Sequence, residues 1–227
     1  MRLRDLLDID GVVEECELRS PVGFIALHGG SQDRGSDHIA RSAARRSGCS
    51  LYAIVQPPWL RVHIPSHRHD PADSATLATF LSHVTVAISV HGYGRDSLRI
   101  VPHGTGARVE PYGPPLKENQ SGPHRWTILG GRNRDLAAVA RRRLQERLPE
   151  WGFLDDEARL GPLAGRHPTN PVNLPPRAGV QVELPPGLRG IGTFGDRLTP
   201  RPDDPLVERV VSALVETADA AREQPDR

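Results

Sequence analysis

Three features of this sequence predict an α/β fold, a single three-layer domain around a mostly parallel or mixed central sheet. Short apolar runs alternate along the chain with amphipathic helical patterns. Two of the runs, 23–27 and 84–90, are apolar at almost every position, as strands covered on both faces are. Both stop abruptly at a His-Gly pair, His28-Gly29 and His91-Gly92, where a glycine lets the chain turn at a strand end.

In chain order, residues 23–27 read as a first strand entering the His28-Gly29-Gly30 turn. Ser36 or Asp37 is a candidate cap for a helix over 38–46, with Ile39 and Ala43 facing inward. Residues 50–55 and 61–64 read as strands, 71–81 as a helix and 84–90 as a buried strand. The Gly/Pro-rich stretch 102–124 reads as a long loop. Residues 126–129 form a strand pattern ending at Gly130-Gly131. The run 135–148 places Leu136, Val139, Ala140, Leu144 and Leu148 on one helical stripe. A Pro/Asn-rich loop over 162–176 leads to a strand at 179–184, and 205–222 reads as a closing helix. This gives an N-terminal segment (1–19), one α/β domain (20–222) and a frayed terminus (223–227).

Composition narrows the function classes. With 227 residues, 37% hydrophobic and 25% charged, the chain can bury one substantial core. Its 29 basic and 28 acidic side chains nearly cancel and aromatics are 4%, which argues against nucleic-acid binding. The cysteines, Cys16 and Cys49, supply no disulfide framework. No signal-peptide pattern or membrane-length apolar run is seen, so a cytoplasmic protein is the expectation. No Gly-x-Ser-x-Gly elbow follows a strand, which leaves a serine hydrolase without support.

The chemistry-bearing residues collect at strand ends. His28, His91 and Glu183 each close an apolar strand, and parallel neighbours would project all three at one rim of the sheet, where ligands of such sheets gather. Asp33 follows His28 across a short loop. Two imidazoles and a carboxylate form a ligand set suited to a catalytic zinc with a water in its fourth position. Either histidine alone also reads as a hydrogen-bonded structural residue, and spacing leaves both readings open.

The ordered motifs go further. The segment Leu27-His28-Gly29-Gly30-Ser31-Gln32-Asp33-Arg34-Gly35-Ser36 resembles the signature of the phage-type poly-γ-glutamate hydrolase family. So do Cys49-Ser50-Leu51-Tyr52, Val62-His63-Ile64 with Asp70-Pro71, and Ile88-Ser89-Val90-His91-Gly92. Gly130-Gly131-Arg132-Asn133, Asn173, and the stretch from Gly179 to Arg189 follow in the same order. The resemblance implies a zinc carboxypeptidase-like fold and hydrolysis of γ-glutamyl amide bonds. One Zn2+ per chain would be held by His28, Asp33 and His91, with Glu183 as general base and acid. The family carries Glu where this chain has Asp33, so the shorter side chain requires a closer approach of its loop.

An acidic peptide or polymer substrate calls for cations, since arginine clamps carboxylates through paired hydrogen bonds. Arg34, Arg95, Arg132 and Arg189 lie next to the expected rim in sequence; Tyr93 is a candidate oxyanion donor and Asn173 a candidate substrate contact. The family resemblance implies that His63, His67 and His69 lie in a loop beside the site. Two alternatives remain: a catalytically silent binding protein for an acidic polymer, and a zinc amidohydrolase acting on N-acyl amino acids or cell-wall peptides.

Overall fold

The computed structural model of the chain describes residues 1–94, 99–103, 106–110, 125–192, 197 and 199–223. In chain order its main elements are α1 (Leu3–Leu7), β1 (Val13–Glu17), β2 (Val22–Gly30), α2 (Ser36–Ser47), β3 (Ser50–Gln56), α3 (Ala75–His83) and β4 (Val86–Gly92). There follow β5 (Arg99–His103), β6 (Gly106–Glu110), β7 (Trp126–Gly130), α4 (Arg134–Arg147), β8 (Gly152–Leu154), β9 (Gly179–Leu184) and α5 (Pro205–Glu223). A seven-stranded mixed sheet has the order β1-β3-β2-β4-β9-β7-β8. Its centre, β3-β2-β4-β9, is parallel, while β1 and β7 run antiparallel to their neighbours β3 and β9.

The unbroken apolar runs make central strands because both faces are covered. Phe24, Ala26, Ile88, Val90, Val180 and Val182 pack against α2, α4 and α5. On the opposite face Ile25, Leu27, Tyr52 and Ile54 meet α1 and α3, through Leu3, Leu6, Leu77 and Phe80. This gives three layers. Full burial of each large side chain stabilises the fold by about 1.5–3 kcal/mol, so Ile88→Ala in the middle of the sheet costs about 2–5 kcal/mol.

Local chemistry sets the helix limits. Ser74 Oγ accepts from Leu77 N at 3.0 Å, and Asn133 Oδ1 from Leu136 N at 2.9 Å, capping α3 and α4. At α2 the N-cap is Gly35, not Ser36 or Asp37, and it lies at φ +88°. A β-carbon there would sit 2.6 Å from Arg189 O, so glycine fits both the turn and the space.

Several expectations are corrected. Residues 61–64 form no strand; the remaining pairing partner of β3 is β1, an edge strand that its glutamates disguise. In the N-terminal segment, Leu3 and Leu6 are buried against the sheet and α3. Residues 99–103 and 106–110 pair as the antiparallel strands β5 and β6, in place of the expected long loop from residue 102. The remainder of that stretch (111–124), Arg95 and residues 224–227 lie outside the described residues. Among the described residues no helix is long and apolar enough to cross a membrane.

Candidate metal centre

The site forms where β2, β4 and β9 reach their carboxyl ends. In β2 the register against β3 slips between Ala26 and Gly29, so one extra residue is inserted across Leu27 and His28. Such a bulge re-aims a side chain. The chain then doubles back: Asp33 N donates to His28 O at 2.7 Å, which closes the loop and returns the Asp33 carboxylate to the histidine. That tight closure supplies the close approach which the short Asp33 side chain requires.

Gly30 is the pivot of this loop. It adopts φ +71°, and a β-carbon would stand 2.1 Å from Gln56 O. Its N–H donates to Asp37 Oδ1 at 3.1 Å, which pins the turn to the first turn of α2.

His28, Asp33 and His91 converge, with ligand-capable atoms all within 4.8 Å of one another. Asp33 Oδ2 is 3.3 Å from His28 Nδ1 and 3.5 Å from His91 Nδ1, and it accepts from Gly92 N at 3.2 Å. The two Nδ1 atoms are 3.1 Å apart. His28 Nε2 lies 2.8 Å from Ile64 O; a carbonyl only accepts, so Nε2 carries a proton and Nδ1 faces the cluster, as a lone pair when His28 is neutral and as a donor to Asp33 when it is protonated. A second partner that fixes the tautomer in this way is the usual support of a metal-bound histidine. Two imidazole lone pairs repel at this distance unless a proton or cation lies between them, so the donor set fits a cation.

Electrostatics agrees with the geometry. Burial opposes ionisation of Asp33, but hydrogen bonds and charge from His28 and His91 outweigh it and hold the carboxyl far below the usual range. Burial also opposes protonation of His28, yet the Asp33 hydrogen bond and charge leave its pKa raised. For Glu183, burial first and the Asp33 charge second push the pKa up.

Glu183 stands directly across from His91 in the parallel β4–β9 pair, and Gln181 stands across from Ser89. These four positions share one face of the sheet. Glu183 Oε1 accepts from Gln181 Nε2 at 2.8 Å, and Gln181 Oε1 accepts from Asn170 Nδ2 at 3.0 Å. The carboxylate is thus held by a buried chain of amides. Sequence reasoning missed Gln181 and Asn170, although the i, i+2 spacing of Gln181 and Glu183 was a visible signal.

The histidine loop lies alongside. His63 and His69 place their rings 4.9 and 5.5 Å from that of His28. His69 is fully buried, with no hydrogen-bond partner for either ring nitrogen among the described residues. Burial first, then the His28 charge, push its pKa down to about 3.

The candidate substrate contacts divide. Arg189 is buried, and its Nε and two terminal nitrogens donate to Leu184 O (3.1 Å), Arg34 O (2.8 Å) and Tyr93 O (2.8 Å). It therefore clamps three backbone segments and is not an exposed cation. Tyr93 is buried and its hydroxyl donates to Trp126 O, so the hydroxyl is engaged by the backbone. Asn173 accepts from Arg132 N at 3.0 Å and donates to Gly165 O and His167 O, which joins three loops. The Arg132 side chain is exposed. Arg34 is half-buried, donating to Arg197 O at 2.5 Å.

Comparison with known proteins bears out the family resemblance. Residues 8–110, which include His28, Asp33 and His91 but not Glu183, match the poly-gamma-glutamate hydrolase family. A bacteriophage poly-gamma-glutamate hydrolase structure aligns with a TM-score of 0.68 at 18% identity, over 96% of this chain and 94% of that one. YNDL in its zinc-free apo form aligns with a TM-score of 0.66 at 19% identity, over 96% and 95%. An N-formylglutamate amidohydrolase from Ralstonia eutropha gives a TM-score of 0.56 at 13% identity, over 95% and 99%. At these identities the likeness establishes the fold. No curated protein sequence matches the chain.

Proposed function

Because residues 8–110 match the poly-gamma-glutamate hydrolase family and the whole chain carries the fold of a solved member, we propose that this protein is a zinc-dependent hydrolase of amide bonds. The bonds are γ-glutamyl ones in an acidic peptide or polymer. The observation that carries the reading is the convergence of His28, Asp33 and His91 in one buried cluster at the strand ends.

His28 and His91 would hold the ion through neutral ring nitrogens, and Asp33 would supply the anionic ligand. Held by these three residues, zinc would supply Lewis acidity, lowering the pKa of a water to about 7 and polarising a substrate carbonyl. Glu183, across from His91, takes the proton released on attack and returns it to the leaving nitrogen. Its raised pKa brings it nearer the working range of a base that must also act as an acid. The Gln181 amide fixes the plane of the carboxylate for both transfers. Gly92 donates its N–H to Asp33, which holds the anionic ligand in place.

The reading is tested by assaying zinc-loaded protein against γ-linked glutamate oligomers and N-acyl-glutamates, with release of free amine as the readout. Cleavage of the oligomers supports it. Cleavage of N-acyl amino acids alone would keep the chemistry and move the substrate. Stoichiometric zinc with no turnover on either class would favour a binding protein for an acidic polymer.

A further inference from the structure

The metal centre lies below the surface: His28, Asp33, His91 and Glu183 are all buried. His63 is exposed, yet its ring centroid lies 4.9 Å from that of His28, the same separation as between His28 and His91. It stands where the buried cluster meets solvent. The residue is also held from both sides. Before it, Val62 donates its N–H to Gln56 Oε1 at 2.8 Å and accepts from Gln56 Nε2 at 2.7 Å, so one buried amide grips both polar groups of that backbone unit. After it, the carbonyl of buried Ile64 accepts from His28 Nε2 at 2.8 Å. Gln56 closes β3, and its own carbonyl accepts from Ser31 N at 3.3 Å in the loop that returns Asp33 to His28.

Among the described residues the His63 ring makes no hydrogen bond. A fixed backbone that carries an unengaged polar side chain is what a substrate contact requires. The reaction has a place for one. When water adds to an amide carbonyl carbon, the carbonyl oxygen takes up the negative charge, and donors aimed at that oxygen lower the barrier. Of the donors expected from sequence, the Tyr93 hydroxyl is spent on Trp126 O and the Arg189 guanidinium on three backbone carbonyls. An ionised Glu183 cannot donate, whereas a neutral imidazole always carries one N–H.

We propose that His63 is a catalytic residue, whose ring N–H donates to the oxyanion formed from the scissile carbonyl on the solvent side of the metal centre. The C–O bond to the attacking water forms, the C–N bond breaks, and the proton passes through Glu183 to the leaving nitrogen. His63 keeps its own proton throughout and is neither consumed nor ionised. The assignment rests on the hydrolase reading for the reaction, but binding of a tetrahedral anion can be measured without turnover.

The probe is a phosphinate isostere of γ-glutamylglutamate, a tetrahedral anion that stands in for the intermediate. Calorimetry gives its affinity for the zinc-loaded parent, His63→Phe and His63→Gln; kcat and KM on a γ-linked glutamate oligomer, zinc content and thermal melting are recorded beside it. His63→Phe keeps a ring against His28 and removes the N–H, whereas His63→Gln keeps a donor. In His63→Phe, phosphinate affinity and kcat should both fall about 10²–10³-fold, with KM, zinc content and melting temperature as in the parent. His63→Gln should recover about tenfold of that loss. Undiminished phosphinate affinity in His63→Phe would overturn the assignment, as would no binding to the parent. Loss of zinc in that variant would make His63 a ligand instead, and a raised KM at unchanged kcat would make it a contact to ground-state substrate; either result overturns the proposal. A parent that binds the phosphinate through His63 yet cleaves no amide would overturn the hydrolase reading and leave the anion contact standing.

Discussion

His91 and Glu183 are register partners in adjacent parallel strands, each within two residues of its strand's end. Neighbouring strands are about 4.8 Å apart, so a ligand-capable imidazole and a buried carboxylate are presented side by side by backbone pairing alone. Neither residue depends on a loop for its place, in contrast to Asp33.

This pairing makes Glu183→Gln the informative change at the base. The amide is isosteric, so zinc content should be unchanged while hydrolysis falls by about 10²–10⁴-fold. The same variant has a stability signature. The folded-state pKa of Glu183 is raised, mainly by burial, so its contribution is fully present below the unfolded value of about 4.3 and is lost as pH rises through the folded one. Metal-free Glu183→Gln should therefore melt higher than metal-free parent at neutral pH, with the gap closing toward pH 4. An unchanged gap across that range would mean that Glu183 is solvated.

Acidification should release the metal. A metal must displace the proton from His28, whose pKa is raised because the Asp33 hydrogen bond and charge outweigh burial. Apparent zinc affinity is then expected to fall as pH drops, beginning above the ordinary histidine value of about 6.5. Competition with a chromophoric chelator from pH 8 to pH 5 measures this. A flat profile across that range would place the ligand nitrogen elsewhere.

Arg189 and Gly92 form a matched pair. A β-carbon on Gly92 would lie 2.3 Å from the Arg189 guanidinium carbon, so Gly92→Ala displaces the clamp and should cost about 1–3 kcal/mol. Arg189→Met leaves the carbonyls of Leu184, Arg34 and Tyr93 without these donors and should cost about 3 kcal/mol. Urea unfolding of the metal-free proteins reads both. A loss below about 0.5 kcal/mol in Arg189→Met would return this arginine to the list of substrate contacts.

His69 is buried beside His28 with neither ring nitrogen paired among the described residues. An unpaired buried polar ring costs stability, so His69→Leu should leave the metal-free protein unchanged or more stable by about 1 kcal/mol. Clear destabilisation in thermal melts would show that the imidazole makes a bond to water or metal.

Much of this was legible in the sequence because it follows from local chemistry. The doubly buried strands ending in His28, His91 and Glu183 announce themselves by continuous apolar runs, and α4 by its stripe. The ligand set itself came from the family motifs, since strand-end histidines alone serve structural roles as well. What failed to show was long-range. The edge strand β1 reads as a run of glutamates, because an edge needs only one apolar face. Arg189 read as a candidate substrate cation, because nothing local reveals that three separate carbonyls converge on it. The Gln181–Asn170 support for Glu183 depends on a loop folding back over β9, and no periodicity encodes that.

Binding of one metal ion by His28, Asp33 and His91 underlies every step above. Elemental analysis of the purified parent and its His28→Ala variant, both supplied with zinc, decides it. About one zinc per chain is expected in the parent, as three protein ligands suffice for a catalytic zinc, and none in the variant, with both proteins folded. Equal zinc in the two, or none in either, would remove the metal centre from this fold.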